Sequence, residues 1–234
     1  MSQSMMSPHP NPPKDSVRRT GSRFSFMASP AAAKTTLCRT CPNPIIMSAE
    51  SGLLTLARDN LPYLEVRNMN DLRDYYQWAK SSAECRQNFQ TLCLDSISEI
   101  AEVVLADKKA KVKDGRMAYG EMIDDMHKII KEFRDIAGYH VYMSAKQERM
   151  KNETTGVVMN VPMMPGNKLG QAMPYFPDEV FQLDIEGTGQ NAYRRLLCQP
   201  DFMTDAKDRS GVLDPIERPD LGYIINKING AVGA

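Results

Sequence analysis

The residues with the clearest capacity for chemistry lie in residues 28–36, which read ASPAAAKTT. This segment has the length and the ending of the phosphate-binding pattern GxxxxGK[ST], but alanine stands at both required glycines. In a loop of that kind the backbone N–H groups surround the β-phosphate, Lys34 reaches the β- and γ-phosphates, and Thr35 holds Mg²⁺. The same residues also fit the start of a helix rich in good helix formers, so the segment alone leaves both interpretations open.

The alanines bear directly on affinity, because glycine adopts left-handed backbone dihedrals there and lets the phosphate approach the backbone closely. An alanine in a left-handed conformation costs roughly 1 kcal/mol or more. Two or three of them would weaken nucleotide binding by about one to three orders of magnitude. Nucleotide binding is therefore expected to be impaired or absent. The positions concerned are Ala28, Ala31, Ala32 and Ala33.

Two carboxylates follow apolar runs that predict strands. Glu50 comes after the run 44–48, and a glutamate at the carboxyl end of a strand can polarise the water that attacks a γ-phosphate. Asp95 ends the apolar run 89–94 in the form of a Walker B element, where it would bind a water of the Mg²⁺ shell. Each residue has a structural alternative, a surface helix cap for Glu50 and an Asp-Ser helix cap for Asp95.

An α/β domain with a mainly parallel sheet would position these residues, because short apolar runs alternate with longer helical patterns. A chain with 42% hydrophobic and 25% charged residues falls in the ordinary globular range. The predicted strands are 22–28, 44–48, 64–66, 89–94 and 139–144, followed by a C-terminal hairpin of strands 179–185 and 192–197. The first predicted helix begins at Lys34 and ends before Pro42, and the second covers 69–80 with Asn70 as its N-cap. Three further helices are predicted at 97–105, 122–136 and 221–228.

Several segments lack such patterns. Residues 1–20 are rich in Pro and Ser and carry few large apolar side chains, which predicts a disordered tail before a single domain at 21–229. Residues 151–177 are long for a plain connection and predict a functional loop. Residues 230–234 are expected to be a flexible terminus.

The combination of motifs closely resembles the phage RecA-like AAA ATPases linked to single-strand annealing, over about residues 21–229. The motifs are KTTL (34–37), PNP (42–44), ESGL (50–53), LDS (94–96), GQAMPYFPDEVF (170–181) and AKDRSGVLD (206–214). The resemblance implies a RecA-like P-loop NTPase fold. It also implies ATP-driven assembly of a ring or filament on single-stranded DNA in recombination or replication, with phage recombination or replication proteins as partners, in the cytoplasm of a host cell.

The same resemblance assigns roles to individual residues. Glu50 matches the catalytic glutamate, and Lys207 with Arg209 matches a Lys-x-Arg pair that reaches into the neighbouring subunit's nucleotide site. Residues 144–147 occupy the sensor position after the fifth strand, and Gln147 is the expected reporter of the γ-phosphate. Without the family, the KDR sequence at 207–209 would be read as a solvated turn. The residues implied to bind ATP or ADP are Ala31, Ala32, Ala33, Lys34, Thr35, Thr36 and Asp95, with Thr35 and Asp95 on Mg²⁺. Family members carry glycines where this chain carries alanines.

Composition adds limits on partners. The formal net charge is zero, from 29 basic and 29 acidic residues, so any polyanion site must be local. No run of apolar residues is long enough to cross a bilayer. Candidate DNA contacts are the basic stretch 108–116 and a loop with Lys146, Arg149, Lys151 and Lys168, although basic residues in loops are commonly just solvated. The neighbouring Tyr175 and Phe176 are expected in the core.

The five cysteines are odd in number and scattered, which predicts reduced thiols rather than a disulfide framework. Three functional hypotheses remain: an active ATPase, a non-catalytic structural or interaction module on the same fold, and a DNA-binding accessory protein that works through its basic loops alone.

Overall fold

The computed structural model describes residues 25–29, 34–50, 59–151 and 156–232 of the chain. Strands and helices alternate within these ranges. The strands are β1 (Ser25–Ser29), β2 (Pro44–Ser48), β3 (Tyr63–Glu65), β4 (Thr91–Asp95), β5 (His140–Ser144), β6 (Lys146–Lys151), β7 (Val158–Met163), β8 (Glu179–Glu186), β9 (Tyr193–Leu197), β10 (Lys207–Asp208) and β11 (Ile216–Glu217). The α-helices are α1 (Lys34–Cys38), α2 (Met69–Ser81), α3 (Ala83–Asn88), α4 (Ile97–Lys111), α5 (Gly115–Arg134), α6 (Asn167–Ala172) and α7 (Leu221–Val232).

The main sheet has the order β11-β9-β8-β1-β5-β4-β2-β3, with β10 paired to β8. Strands β8, β1, β5, β4, β2 and β3 run parallel, and β9, β10 and β11 add antiparallel pairs. The predicted α/β fold with a mainly parallel sheet is thus confirmed, as is the hairpin of β8 and β9. Since parallel strands end at one edge, Ser29, Ser48, Asp95 and Ser144 share what we call the carboxyl edge.

Two apolar layers cover the two faces of the sheet, as alternating side chains require. Along β4, Leu92 and Leu94 face the layer that contains buried residues of α2, α4 and α5, whereas Cys93 faces the opposite layer, with buried residues of α1 and α7. All five residues of β4 are buried. Asp95 therefore lies at the end of a central strand that is enclosed on both faces.

Helix α7 is hydrogen-bonded to Thr40, in the turn that follows α1. The Leu221 backbone N–H donates to the Thr40 hydroxyl at 2.9 Å, and the Gly222 N–H donates to the Thr40 carbonyl at 3.0 Å. A Cβ atom on Gly222 would lie 2.7 Å from that carbonyl oxygen, so this close approach requires glycine. The helix continues to Val232, beyond the end predicted at Ile228.

Three further predicted helix boundaries are wrong, at the start of α2, the end of α4 and the start of α5. The N-cap of α2 is Asn68 rather than Asn70: the Asn68 side chain accepts from the backbone N–H groups of Asn70 and Asp71. The stretch 108–116 was predicted as a connection, but its first half completes α4 and its end begins α5. The Asp114 side chain caps α5 by accepting from the Arg116 N–H at 2.8 Å, which explains the early start of this helix.

The prediction of a loop over 151–177 is also wrong for the described part of that segment. Strands β6 and β7 form an antiparallel hairpin, and α6 and a short 3-10 helix (Met173–Tyr175) follow it. Residues 152–155 lie outside the described ranges. A Cβ atom on Gly170 would lie 2.6 Å from the Pro162 carbonyl oxygen, so glycine lets α6 pack closely on β7. Irregular composition therefore concealed regular structure that tertiary contacts stabilise.

Candidate functional site

Thr35, Asp95 and Ser144 meet at the carboxyl edge. The Thr35 hydroxyl, on α1, donates to Asp95 Oδ2 at 2.6 Å. The Ser144 hydroxyl, at the end of β5, donates to Asp95 Oδ1. Asp95 is only 2% exposed, so these two donors compensate for the burial of its carboxylate. The strand order brings together three residues that are far apart in sequence, because β5 lies between β4 and β1, the strand that precedes α1.

Glu50 is held beside this group. The Ser96 hydroxyl, directly after β4, donates to Glu50 Oε1 at 3.0 Å. The Glu50 backbone N–H donates to the Ser48 hydroxyl at 3.2 Å, which fixes the turn that follows β2. Ser96 also caps α4 through the Glu99 N–H, so the helix-cap alternative for the Asp-Ser sequence holds together with its position at the strand end. No local pattern predicts the Ser96–Glu50 contact, since 46 positions separate the two residues.

For some of the remaining predicted phosphate-binding residues, the structure describes only their position in a helix or strand. The others lie outside the described residues. Lys34 is the first residue of α1, and Thr36 lies within the same helix. Ala28 lies in β1, between Ser144 of β5 and Phe181 of β8 in the sheet register. Ala31, Ala32 and Ala33 lie outside the described residues.

Gln147 lies on β6, opposite Pro162 of β7 and three positions beyond Ser144. Ser144 carries the contact of this segment with Asp95. A polar residue at the end of a strand that neighbours β4 was the available signal for Ser144, because adjacent parallel strands end side by side.

Lys207 and Arg209 are placed away from the Thr35–Asp95 contact of their own chain. Lys207 pairs with Val180, and Asp208 pairs with Glu179, the first residue of β8. Arg209 therefore follows β10 beyond the amino-terminal end of β8, whereas Thr35 and Asp95 lie at the carboxyl edge. The sheet order also separates β10 from β4 by β8, β1 and β5.

The side chains of Lys207 and Arg209 differ in their contacts and in their exposure to solvent. The Lys207 ammonium group donates to the carbonyl oxygens of Pro174 and Pro177 at 2.8 and 2.6 Å, and burial lowers the pKa of Lys207. Arg209 forms an ion pair with Asp178 at 3.0 Å, and 60% of its side chain is exposed. Arg209 is thus the more accessible cation of the two.

A layer of thiols lies beneath α1. Cys38 and Cys93 hydrogen-bond each other, and Tyr142 lies in the same buried cluster. Burial raises the pKa of the Cys38 thiol to about 11 and that of Cys93 well above its ordinary value, so both stay protonated at neutral pH. All five cysteines are free and buried, in agreement with the prediction of reduced thiols.

A cavity of about 310 Å³, which no pattern in the sequence predicts, opens beside α1. It lies between α1 and the β8–β9 hairpin, so it adjoins the helix that carries Thr35. Its lining includes Thr36, Arg39, Thr40, Ile185, Tyr193 and Pro219. A mixed polar and aromatic lining of this kind suits a small planar ligand with a polar rim.

No group of three or more His, Cys, Asp or Glu side chains that could hold a metal ion occurs in the part of the chain that the structure describes. Mg²⁺ bound with a triphosphate does not need one, because phosphate oxygens and water supply most of its ligands. Among the described residues, no helix is long and apolar enough to cross a membrane.

The described strands form a mainly parallel α/β sheet, and a hydroxyl from the first helix donates to an aspartate at its carboxyl edge, where α/β folds bind their ligands. The chain belongs to the AAA domain family, whose model matches residues 21–210. Among solved structures, it is similar to a KaiC-like protein from the hyperthermophilic archaeon Pyrococcus horikoshii. That similarity has 12% identity and a TM-score of 0.44, and it covers 80% of this chain and 82% of the other. No curated protein matches the sequence.

Proposed function

We propose that the protein binds ATP with Mg²⁺ and hydrolyses it at interfaces between subunits that assemble on single-stranded DNA, in phage recombination or replication within the host cytoplasm. The observation that carries the proposal is the convergence of Thr35, Asp95 and Glu50 at the carboxyl edge. These three residues come from three elements, and their types match the parts that ATP hydrolysis needs.

Each residue has a distinct task in this proposal. Thr35 and Asp95 would hold Mg²⁺, which supplies charge neutralisation at the β- and γ-phosphates. Glu50 orients the attacking water and accepts its proton, and Ser96 keeps that carboxylate oriented by its 3.0 Å hydrogen bond. The Ser144 hydroxyl donates to the other oxygen of Asp95. A movement of β5 would therefore shift the carboxylate that would bind Mg²⁺. Lys34 would contact the phosphates.

The cavity beside α1 supports a nucleoside as the rest of the ligand. It adjoins Thr36, one residue from the proposed Mg²⁺ ligand Thr35. Its volume of about 310 Å³ can accommodate a purine, and Tyr193 and Arg39 offer stacking and hydrogen bonding. We therefore place the base and ribose between α1 and the β8–β9 hairpin.

The neighbouring subunit completes the site in this proposal. Arg209 lies beyond the amino-terminal end of β8, where it is remote from its own chain's Asp95 but exposed. A cation delivered from a second subunit neutralises charge on the transferring phosphoryl group, which couples hydrolysis to assembly.

Of the two candidate binding sites for single-stranded DNA, the β6–β7 hairpin is the better supported. Arg149 and Lys151 are exposed there, whereas Lys146 is paired with Glu99. The stretch 108–116 supports binding less, because several of its cations are paired: Lys108 with Glu121 and Asp125, and Lys111 with Asp107.

Two exposed aromatic residues outside the hairpin also support binding of single-stranded DNA. Tyr175 was expected in the core but is 80% exposed, and Phe202 is 91% exposed. Phe202 precedes Met203, whose carbonyl accepts from the Asn160 N–H of β7. Such side chains can stack with unpaired bases. Phe176, by contrast, is partly buried against the core, as predicted.

An ATPase assay with Mg²⁺, with and without single-stranded DNA, tests the proposal. We expect hydrolysis that DNA stimulates and that Lys34→Ala or Glu50→Ala abolishes, with Glu65→Ala as the control for an exposed glutamate. Wild-type turnover at background level under all conditions overturns the enzymatic proposal.

The alanines at 28 and 31–33 favour a second candidate, a weakened or inactive structural module on the same fold. This candidate predicts that oligomers form without nucleotide and that Lys34→Ala does not change their size. Light scattering with and without ATP would measure this size. Calorimetry of a variant with Ala28→Gly and Ala33→Gly separates the two: a gain of about tenfold or more in ATP affinity shows that the pocket is otherwise intact. A purely DNA-binding accessory protein would instead keep strongly salt-dependent DNA binding in the Lys34 variant.

A further inference from the structure

A pair of carboxyl groups lies at the root of the segment that carries Lys207 and Arg209. Glu179 and Asp208 are directly opposite each other in the antiparallel β8–β10 pairing, which places their side chains on the same face of the sheet. Glu179 is 0% exposed, and it is the first residue of β8. Two carboxyl groups in contact within a protein interior are unfavourable unless a proton or several donors stabilise them.

Glu179 holds the backbone that follows β10. Its Oε2 accepts from the Arg209 N–H at 3.2 Å, and its Oε1 accepts from the Ser210 N–H at 3.1 Å. Both oxygens of one buried side chain are thus bonded to consecutive amides of the Lys207–Arg209 segment. A buried acceptor of this kind fixes the backbone direction from which the Arg209 side chain leaves.

Asp208 holds the rest of the turn. Its Oδ1 accepts from the Ser210 hydroxyl at 2.5 Å and from the Gly211 N–H at 3.0 Å, and its Oδ2 accepts from the Leu213 N–H at 2.9 Å. The carboxyl pair therefore accounts for four backbone N–H groups between positions 209 and 213. This set of bonds exceeds what a solvated turn requires, since water could satisfy the same groups.

We propose that Glu179 and Asp208 are positioning residues, which accept hydrogen bonds from four backbone N–H groups between positions 209 and 213 and thereby hold Lys207 and Arg209 in the geometry that reaches a neighbouring subunit's nucleotide. The inference rests on the proposed function, because the two cations act in trans only if subunits assemble around ATP. Neither carboxyl group touches the nucleotide; both act through the backbone of the segment 207–213.

The protonation state of the pair sets the pH range of this positioning. Burial and the neighbouring Asp208 raise the pKa of Glu179 to about 8, and the donors around Asp208 lower the pKa of that residue. Below about pH 8 the Glu179 carboxyl is protonated and donates to the Asp208 carboxylate. Above that pH two carboxylates face each other in the β8–β10 pairing, and their repulsion separates the strands. The charged or titratable groups that face Glu179 are Asp208, Asp178, Lys207, Arg209 and Cys198.

The variant Glu179→Gln tests whether Glu179 acts through a proton, because its amide can donate to Asp208 at every pH while its single oxygen still accepts from one of the two backbone N–H groups. Assembly-dependent ATP hydrolysis of the wild type should fall as the pH passes about 8. The Gln variant should keep neutral-pH hydrolysis within about fivefold and lose this decline, whereas Glu179→Ala should lose hydrolysis at all pH values by about tenfold or more.

A second readout does not need hydrolysis. Amide hydrogen exchange at Arg209 and Ser210, corrected for intrinsic base catalysis, should accelerate above about pH 8 in the wild type and not in Glu179→Gln. Glu217→Gln is the matched control: Glu217 is also a buried carboxyl, but it pairs with Lys227 at 2.5 Å. We expect it to leave exchange at 209 and 210 unchanged.

The outcomes separate the two proposals. An exchange contrast between wild type and Glu179→Gln supports the positioning role of the carboxyl pair, and equal exchange at all pH values overturns it. An exchange contrast without any ATP hydrolysis in the wild type overturns the proposed function instead. Wild-type hydrolysis whose high-pH decline persists in Glu179→Gln shows that another group causes the decline and overturns the coupling of the pair to hydrolysis.

Discussion

Thr35 and Asp95 are joined by a 2.6 Å hydrogen bond although 60 positions separate them in the chain. The bond links the first helix to the end of a buried strand, so the threonine hydroxyl is already directed toward the carboxylate. A site that is preorganised in this way loses less side-chain entropy when a ligand binds.

Replacement of the Thr35 hydroxyl should weaken Mg²⁺-dependent nucleotide binding. We expect Thr35→Ala to lower ATP affinity in the presence of Mg²⁺ by about 10- to 100-fold, because both the metal ligand and the donor to Asp95 are lost. Thr35→Ser retains the hydroxyl and should stay within about threefold of the wild type. Calorimetry with and without Mg²⁺ measures the effect, and equal affinities of the Ala and Ser variants would contradict the assignment.

Glu50 should be required for hydrolysis but not for binding. We expect Glu50→Gln to reduce turnover by about 10²- to 10⁴-fold while ATP affinity changes little, since the amide cannot accept the proton of the attacking water. Ser96→Ala removes the 3.0 Å bond to Glu50 and should give a smaller loss, about 3- to 30-fold. Single-turnover assays alongside calorimetry distinguish the two steps. Normal turnover in Glu50→Gln would exclude this residue as the base.

Much of this arrangement follows from patterns that a single sequence contains. The apolar run that ends in Asp95 predicts a buried strand, and the carboxyl ends of parallel strands must share an edge, so Glu50 and Asp95 were expected to be near each other. The Ser96–Glu50 and Glu179–Asp208 contacts could not be predicted, because they depend on strand order and on register, which local patterns do not specify.

Other errors had local causes. Asn70 and Asn68 are equally good caps by residue type, and only the observed hydrogen bonds select Asn68. The hairpin of β6 and β7 was predicted as a loop because its polar strand lacks a regular alternation of apolar residues. Tyr175 was expected in the core from its aromatic character, but the adjacent Phe176 occupies the partly buried position.

The stability of the protein should depend on pH through Glu179. The folded-state pKa of this residue, about 8, is raised above its ordinary value of 4.5, so its protonated form favours the folded state. The resulting stabilisation is complete below about pH 4.5 and is lost as the pH rises through about 8. We expect the free energy of unfolding of the wild type to fall by about 2 to 5 kcal/mol across this window relative to Glu179→Gln.

Urea denaturation at several pH values measures this difference. Asp208 contributes with the opposite sign, because its lowered pKa adds stability above its ordinary value of 3.8, so measurements should start above pH 5. Parallel curves for wild type and Glu179→Gln would show that Glu179 does not titrate in this range.

The contact of α7 with Thr40 should be sensitive to a single methyl group. Gly222→Ala places a Cβ atom 2.7 Å from the Thr40 carbonyl oxygen, and backbone must move to relieve the contact. We expect a destabilisation of about 1 to 3 kcal/mol, measured by chemical denaturation.

Gly230→Ala provides the control in the same helix. No atom lies within 4 Å of the added Cβ at this exposed position, so alanine should stabilise the helix by about 0.5 to 1 kcal/mol. A similar effect of both substitutions would mean that helix propensity, and not the contact with Thr40, governs this region.

The bonds between Leu221 and Thr40 also bear on the order of events during protein synthesis. The Leu221–Thr40 bond connects positions 181 residues apart, so the turn after the helix that begins at Lys34 gains this support only once residue 221 has been synthesised. Chains truncated before residue 221 should therefore lack both hydrogen bonds from α7 to Thr40.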